Sequence, residues 1–339
     1  MKQIVTVLLV FILSNASLVA QEVKDSLDVL RLDSSVYYQD VSENLMMNVR
    51  SLMRSYDLNI RHVNSGTEMQ LSPLGQISLG LGVNYEWFGI AVNFGLPSSS
   101  QDIERYGETS KQDLHIGLYG NQASGFINLQ RYKGFHLRNY LDTTTGNHIQ
   151  IPSLETFSLN FSGLYFFNHE KFSFKSAYVR NAIQKKSAGS IALGGYLTYD
   201  ASTSEVPLGD ANLPDSIQNQ FGVLAIWSRT YGVSFGYGYT WVIKKNFFIN
   251  GTLVPGLGAK KIRLTLSDES VEVDAGLAFR FDANIAMGYE AKNWLAGITA
   301  STVNQFYEID GLVISPSSTS LKIFVAKRFG LGKKNKQKG

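Results

Sequence analysis

Five histidines and a scatter of serines are the residues from which a hydrolase could be built, and their surroundings argue against one. Acyl or phosphoryl chemistry needs a nucleophile held against a base that a third group orients. His62, His115, His136, His148 and His169 belong to no Gly-x-Ser-x-Gly elbow and to no HExxH metal pair. His169, between Asn168 and Glu170, reads as a turn residue, and Ser187 and Ser190, with Gly189 between them, as turn and strand-packing residues. The expectation is a protein that is not an enzyme and that uses no cofactor and no metal.

The polar residues that invite a role sit on runs that otherwise alternate apolar and small side chains. Arg280, Asp282 and Asn284 share one parity of such a run, Lys175 takes the corresponding parity of another, and His115 alternates with Gly117 and Tyr119. A charge on the lipid side of a membrane strand costs ~2–4 kcal/mol near the midplane. These groups are therefore expected to face a lumen and pair there. Arg131 is harder to assign, because Ile127 and Leu129 compete with Phe126 and Tyr132 for the apolar parity. Two arrangements fit: a hydrogen-bonded filling of the lumen, or the lining of a narrow permeation path. The glycines on the inward parity leave room for long side chains from neighbouring strands.

The elements that must position these groups are long β-strands. Tyr231, Val233, Phe235, Tyr237, Tyr239, Trp241 and Ile243 fall on one parity, with Gly232, Ser234, Gly236, Gly238, Thr240 and Val242 between them. At ~3.3 Å per residue this run extends about 43 Å. Tilted by ~40°, it covers a ~25 Å apolar band and its interfacial girdles, whereas soluble strands average about five or six residues. The pattern recurs at Ile77–Tyr85, Phe88–Leu96, Phe157–Phe167 and Leu277–Tyr289. It predicts an all-β chain, a single antiparallel transmembrane β-barrel of about 12–14 strands spanning residues 43–329. The fourteen-strand version treats 44–53 and 56–63 as separate strands and 171–182 as another. It makes 200–229, 258–274 and 304–319 long external loops, and leaves 97–110 and 134–153 as long connections on the periplasmic side, where short turns are the rule.

The rest of the chain agrees with export. Lys2, the apolar stretch Ile4–Leu13 and the small residues up to Ala16 or Ala20 have the layout of a cleaved signal peptide, assigned to residues 1–20. Without cysteine the chain is not a lipoprotein, and its fold must hold without disulfides. Residues 21–42 read as an N-terminal periplasmic segment, or else as an insert in the lumen. Residues 330–339, with Lys333, Lys334, Lys336 and Lys338, read as a basic periplasmic tail. A net charge of +3 is too small to imply nucleic acid. After the first twenty residues, no apolar run approaches the ~20 residues of a membrane helix, so only a closed barrel could span a bilayer.

Three stretches carry a family resemblance: Arg131-Tyr132-Lys133-Gly134-Phe135, Asn168-His169-Glu170-Lys171-Phe172-Ser173-Phe174 and Gln184-Lys185-Lys186-Ser187-Ala188-Gly189-Ser190. With Gly236-Tyr237-Gly238-Tyr239-Thr240 and Lys244-Lys245-Asn246-Phe247-Phe248, they resemble the domain-of-unknown-function 4421 family over about residues 33–329. The resemblance implies a Bacteroidetes-type outer-membrane barrel and brings no activity with it. The functional expectation is transport or permeation of a small solute or lipid. The alternative is a structural or partner-binding barrel with a filled lumen, acting through loops 200–229 and 258–274. The expected partners are outer-membrane lipids and the barrel-insertion machinery, to which the last strand presents a terminal aromatic, Phe329.

Overall fold

The computed structural model describes residues 36–330, apart from 143, 209–221, 245, 267–269, 274–275, 292 and 310. The proposed signal peptide, most of the 21–42 segment and the basic tail lie outside the described residues.

Among the described residues, sixteen strands and two short helices follow one another. They are β1 (Tyr38–Asp40), β2 (Leu45–His62), β3 (Glu68–Ser72), β4 (Ile77–Tyr85), β5 (Phe88–Gly95), α1 (Ser100–Tyr106), β6 (Ser110–Tyr119), β7 (Ala123–Leu141), β8 (His148–Phe166), α2 (Phe174–Tyr178), β9 (Ala182–Gln184), β10 (Ala188–Thr203), β11 (Val223–Ile243), β12 (Phe247–Leu266), β13 (Ser270–Val273), β14 (Leu277–Ala291), β15 (Trp294–Ile309) and β16 (Leu312–Phe329). β1 and β9 pair with each other; the other fourteen strands form one antiparallel sheet. Apart from the short β3 and β13, which pair alongside β2 and β12, its strands close into a ring of twelve, with β16 returning to β2 over the register Leu312↔His62 to Phe329↔Leu45. Closure leaves no free edge at the join of first and last strands, which is what hydrocarbon demands of a sheet.

The outward face explains why the ring belongs in a membrane. Along β11, Tyr231, Val233, Phe235, Tyr237 and Trp241 are exposed, while Ser234, Gly236, Gly238 and Thr240 are buried. Val49, Leu81, Val92, Leu193, Leu257, Ile285 and Ile323 continue the apolar belt around the ring. Tyr85, Trp87, Tyr165, Trp241, Tyr289 and Trp294 stand exposed at the end where Leu45 and Phe329 lie, and Tyr231, Trp227 and Phe279 near the other. These are the two aromatic girdles of a transmembrane barrel. With an even number of strands, both barrel termini share one end, the near end below, which is periplasmic in bacterial barrels.

The fourteen-strand version needs two corrections. Residues 44–53 and 56–63 are a single strand, β2, whose hydrophobic parity inverts half-way. Below the inversion Met47, Val49 and Met53 point out; above it Tyr56, Leu58 and Ile60 point in, behind an outward row of Ser55, Asp57, Asn59 and Arg61. Segment 171–182 is no wall strand, because it folds around α2. With two strands fewer, the 96–109 connection moves to the far end, and 134–153 becomes the upper halves of β7 and β8 around a turn at 142–147. The expected external loops shrink for the same reason. β10 and β11 reach Thr203 and Val223, β12 reaches Leu266, and β15 and β16 are joined across residues 310–311.

A depth scan tests the belt. Arginine at 235 should lower folding yield in lipid vesicles by the equivalent of ~2–4 kcal/mol, against ~0–1 kcal/mol at 231 or 241. A flat profile over the exposed positions of β11 would show that this face does not span a bilayer.

Candidate functional site: the lumen chamber

The near end of the lumen is filled by the 167–187 connection and the β1–β9 ribbon. Gln184 organises it, accepting from Ser173 N at 3.0 Å and donating to the carbonyls of Lys171 (2.6 Å) and Lys186 (3.0 Å). From this plug, Phe174 packs on Phe126 and Phe166, Tyr178 donates to Asn250 Oδ1 at 2.7 Å, and Asn181 donates to Glu86 O at 2.7 Å. Arg180 stacks on Phe248 at 3.9 Å, and Arg328 donates to its carbonyl at 3.0 Å. Gly238 of the sequence motif faces Phe172: a Cβ there would sit 3.0 Å from that ring. The plug thus touches the inward faces of strands on opposite sides of the ring.

The far end is closed differently. Above the belt the inverted parity turns apolar side chains inward, and Leu58, Ile60, Leu71, Leu137, Ile262 and Ile314 join one buried cluster. β3 reaches across from β2 to β7, pairing Leu71 with Leu137, where the short β4, β5 and β6 do not extend. Gly134 permits the bulge next to that crossing. Its φ is 88°, and the carbonyl of Glu108 occupies the place of a Cβ. Beneath the cluster lies a polar layer in which buried Asp200 accepts from Ser158 Oγ (2.7 Å), Gln305 Nε2 (3.3 Å) and Tyr56 Oη (3.4 Å).

Between the two closures lies a chamber of about 250 Å³. Arg50, Arg54, Arg180, Arg280 and Lys322 line it, against one lining carboxylate, Asp282. Arg280 is buried and holds Asp282 through two hydrogen bonds, at 2.7 and 2.8 Å, and donates to Thr198 at 3.2 Å. Its guanidinium lies 4.6 Å from the centre of the Tyr196 ring, which in turn occupies the space left by Gly232, Gly256 and Gly258. Arg54 faces Asp113 at 3.6 Å. Asn284 and His115 line the same space, and His115 Nδ1 is hydrogen-bonded to Asn128 Oδ1.

Four of the five polar candidates read from sequence, Arg280, Asp282, Asn284 and His115, are therefore brought together. Lys175 is not: it belongs to α2 in the plug rather than to a wall strand, and pairs with Asp40 at 2.6 Å. Arg131 points outward and pairs with Glu155 at 2.6 Å, on the part of β7 that has left the apolar belt. Sequence reasoning missed Arg50, Arg54 and Lys322, although they occupy the inward parity, Arg50 next to Val49, Arg54 next to Met53 and Lys322 between Leu321 and Ile323, where the same alternation rule finds them. Asp200 was hidden by its placement in a loop. Arg180 carries no periodic signal.

The family pattern described as Domain of unknown function (DUF4421) matches residues 31–329. The chain belongs to that family. No curated protein matches it. Among solved structures, the outer-membrane protease OmpT of Escherichia coli is similar at 10% identity and a TM-score of 0.34, over 84% of this chain and 97% of that one. The toluene transporter TodX of P. putida is similar at 8% identity and a TM-score of 0.29, over 85% and 91%. Neisserial surface protein A is similar at 9% identity and 0.24, over 84% and 97%. Likeness at this level says nothing about shared activity, and the family description assigns none.

The Arg280–Asp282 pair generates a prediction. Asp282→Ala leaves a buried guanidinium with Thr198 as its remaining hydrogen-bond partner, so the barrel should lose roughly 1.5–3 kcal/mol. Urea unfolding in vesicles, followed by the change in gel migration between unheated and boiled samples, measures it. Asp282→Asn, which keeps an acceptor, should lose less.

Proposed function

We propose that the protein is an outer-membrane barrel that passes a small solute or lipid through its lumen, and that the described conformation is the shut one. The observation that carries this reading is the polar chamber held between two apolar closures. A barrel serving only as scaffold has no use for an unfilled, cation-rich space at mid-height, where unpaired charge is costly. The role is non-enzymatic, and the near-end plug is the gate. It is tied to the wall by a small aromatic cluster around Phe172 and Phe174 and by a few polar contacts, whereas the far end is packed like a soluble core by a much larger one. That packing of the far half favours the second reading, a structural or partner-binding barrel, whose partner would meet the far-end surface.

Conductance of the purified full chain in planar bilayers separates the two, and the Lys175–Asp40 pair gives it a handle. Burial raises the Asp40 carboxyl, but the charge and hydrogen bond of Lys175 and the amide of Ser42 more than offset this, holding it below its ordinary value. A depressed carboxyl contributes stability that is present above its unfolded value and lost as pH falls through its folded one. The pair ties α2 to β1 within the plug, so the plug should keep its own fold at neutral pH and loosen only below the ordinary carboxylate range, with channel openings becoming more frequent. Lys175→Met should show those openings already at neutral pH. Silent bilayers for both proteins at every pH would favour the structural reading.

A further inference from the structure

Backbone pairing between neighbouring strands is extensive around the ring except at one place. Neighbouring wall strands share eight or more ladder pairs everywhere else, the shortest ladders being β2–β4 and β4–β5. β5 and β6 share only Phe88↔Leu118 and Gly89↔Gly117. Beyond those pairs, Ile90–Gly95 and Ser110–Ile116 run side by side with no ladder pair. At ~3.3 Å per residue, the six residues on the β5 side make a seam of about 20 Å.

The seam lies in the apolar belt. Ile90, Val92 and Phe94 on one lip and Leu114 on the other are exposed outward. Unpaired backbone facing hydrocarbon is tolerated only where it lines a cavity that can satisfy it. This seam does so: Ile90, Ala91 and Asn93 on one side and His115 on the other are walls of the chamber. The Oδ1 atom of Asn93, buried at the seam, has no hydrogen-bond partner.

The chamber behind the seam has charge to spare. Arg54 and Arg280 are matched by Asp113 and Asp282, but Arg50, Arg180 and Lys322 have no ion pair among the described residues. Arg50 Nε is buried without a hydrogen-bond partner, as are Nε and Nη2 of Arg180, a residue 1% exposed. Three cations without an ion pair, two of them with buried donors that lack an acceptor, call for an oxyanion beside them, which offsets several positive charges at once. A space of about 250 Å³ suits a head group rather than a whole lipid.

We propose that the chamber binds the anionic head group of an amphiphile, through Arg50, Arg180 and Lys322, while its apolar chain passes through the β5–β6 seam into the membrane. The proposal rests on the reading of the lumen as a solute path and names the class of solute: a carboxylate or phosphate head on an acyl chain. The chain fills the seam that backbone pairing leaves open, and the head balances the cations that the protein leaves without an ion pair.

The test uses the full chain in phosphatidylcholine nanodiscs with a spin-labelled stearic acid, whose electron paramagnetic resonance spectrum distinguishes immobilised from free label. The acid should be immobilised and its methyl ester should not. Arg50→Gln combined with Lys322→Gln should weaken binding of the acid by about tenfold or more, the scale of lost charge-assisted hydrogen bonds. The natural chain has no cysteine, so Val92→Cys with Leu114→Cys, joined by a bismaleimide, closes the seam selectively. Cross-linking should abolish immobilisation of the acid. Heat-dependent gel migration verifies that each variant is folded, and the cross-linked protein tests the seam even if the charge variant fails to fold. Equal binding of acid and ester, or binding indifferent to both changes, overturns the proposal. Competition by inorganic phosphate with no effect of the cross-link would show a site for free anions, and would also overturn it. Immobilised acid without solute flux in vesicles would sink the transport reading and leave this one standing. Flux of a small solute without acid binding would do the reverse.

Discussion

Every feature of this molecule answers to one constraint: in hydrocarbon, a backbone N–H or C=O has no partner but another strand. The long β16–β2 ladder, from Leu312↔His62 to Phe329↔Leu45, turns a sheet that would have two exposed edges into a ring. Once the ring is closed, parity alone decides the fate of each side chain. The outward half must be apolar over the belt. The inward half is freed from that demand and takes up the glycines, hydroxyls, amides and charges that fill or line the lumen.

The same constraint reverses once the strands leave the membrane, and the reversal builds the second core. On β2 the apolar side changes from out to in between Met53 and Tyr56. On β12, Leu253 and Leu257 face out, whereas Ile262 and Leu264 face in, level with outward Lys261 and Arg263. Water outside the far half rewards polar outward residues, and the narrow interior rewards apolar burial, as in any soluble domain. A single strand can thus belong to two hydrophobic systems of opposite sense. The far end is shut as a consequence of this inversion rather than by a dedicated lid.

This explains how much could be read from the sequence. The belt strands β4, β5, β8, β11 and β14 were legible because a single parity holds through the belt, and so were the inward positions of Arg280, Asp282, Asn284 and His115. β2 was misread as two strands because an alternation whose sense flips looks like a break, although the backbone runs straight through. The upper parts of β10, β11, β12 and β15 read as loops for the same reason, which hid Asp200. In 171–182, the alternation of Phe172 and Phe174 imitates a strand; only the contacts of those rings with Gly238, Phe126 and Phe166 reveal a plug. Lys175 followed that misreading. Spacing along one strand carries no record of what the opposite wall offers.

Strand length settles where the wall can be incomplete. β4, β5 and β6 have 9, 8 and 10 residues, while the other ring strands have 15 to 21. The short strands cover the belt and little more, so they take no part in the far-end core that stiffens their neighbours. β3 restores closure above them by joining β2 to β7, and the side chain of Thr109 ties that region together, accepting from Leu74 N and donating to Gly134 O. The Phe88↔Leu118 and Gly89↔Gly117 pairs close the wall below. What lies between is bounded above and below, faces hydrocarbon on one side and Arg50 and Lys322 on the other, and coincides with the thinnest part of the ring. Inter-strand pairing is the dominant attraction holding adjacent wall strands together, so a barrel that must open sideways can do so at least cost where its strands are shortest and least engaged by either closure.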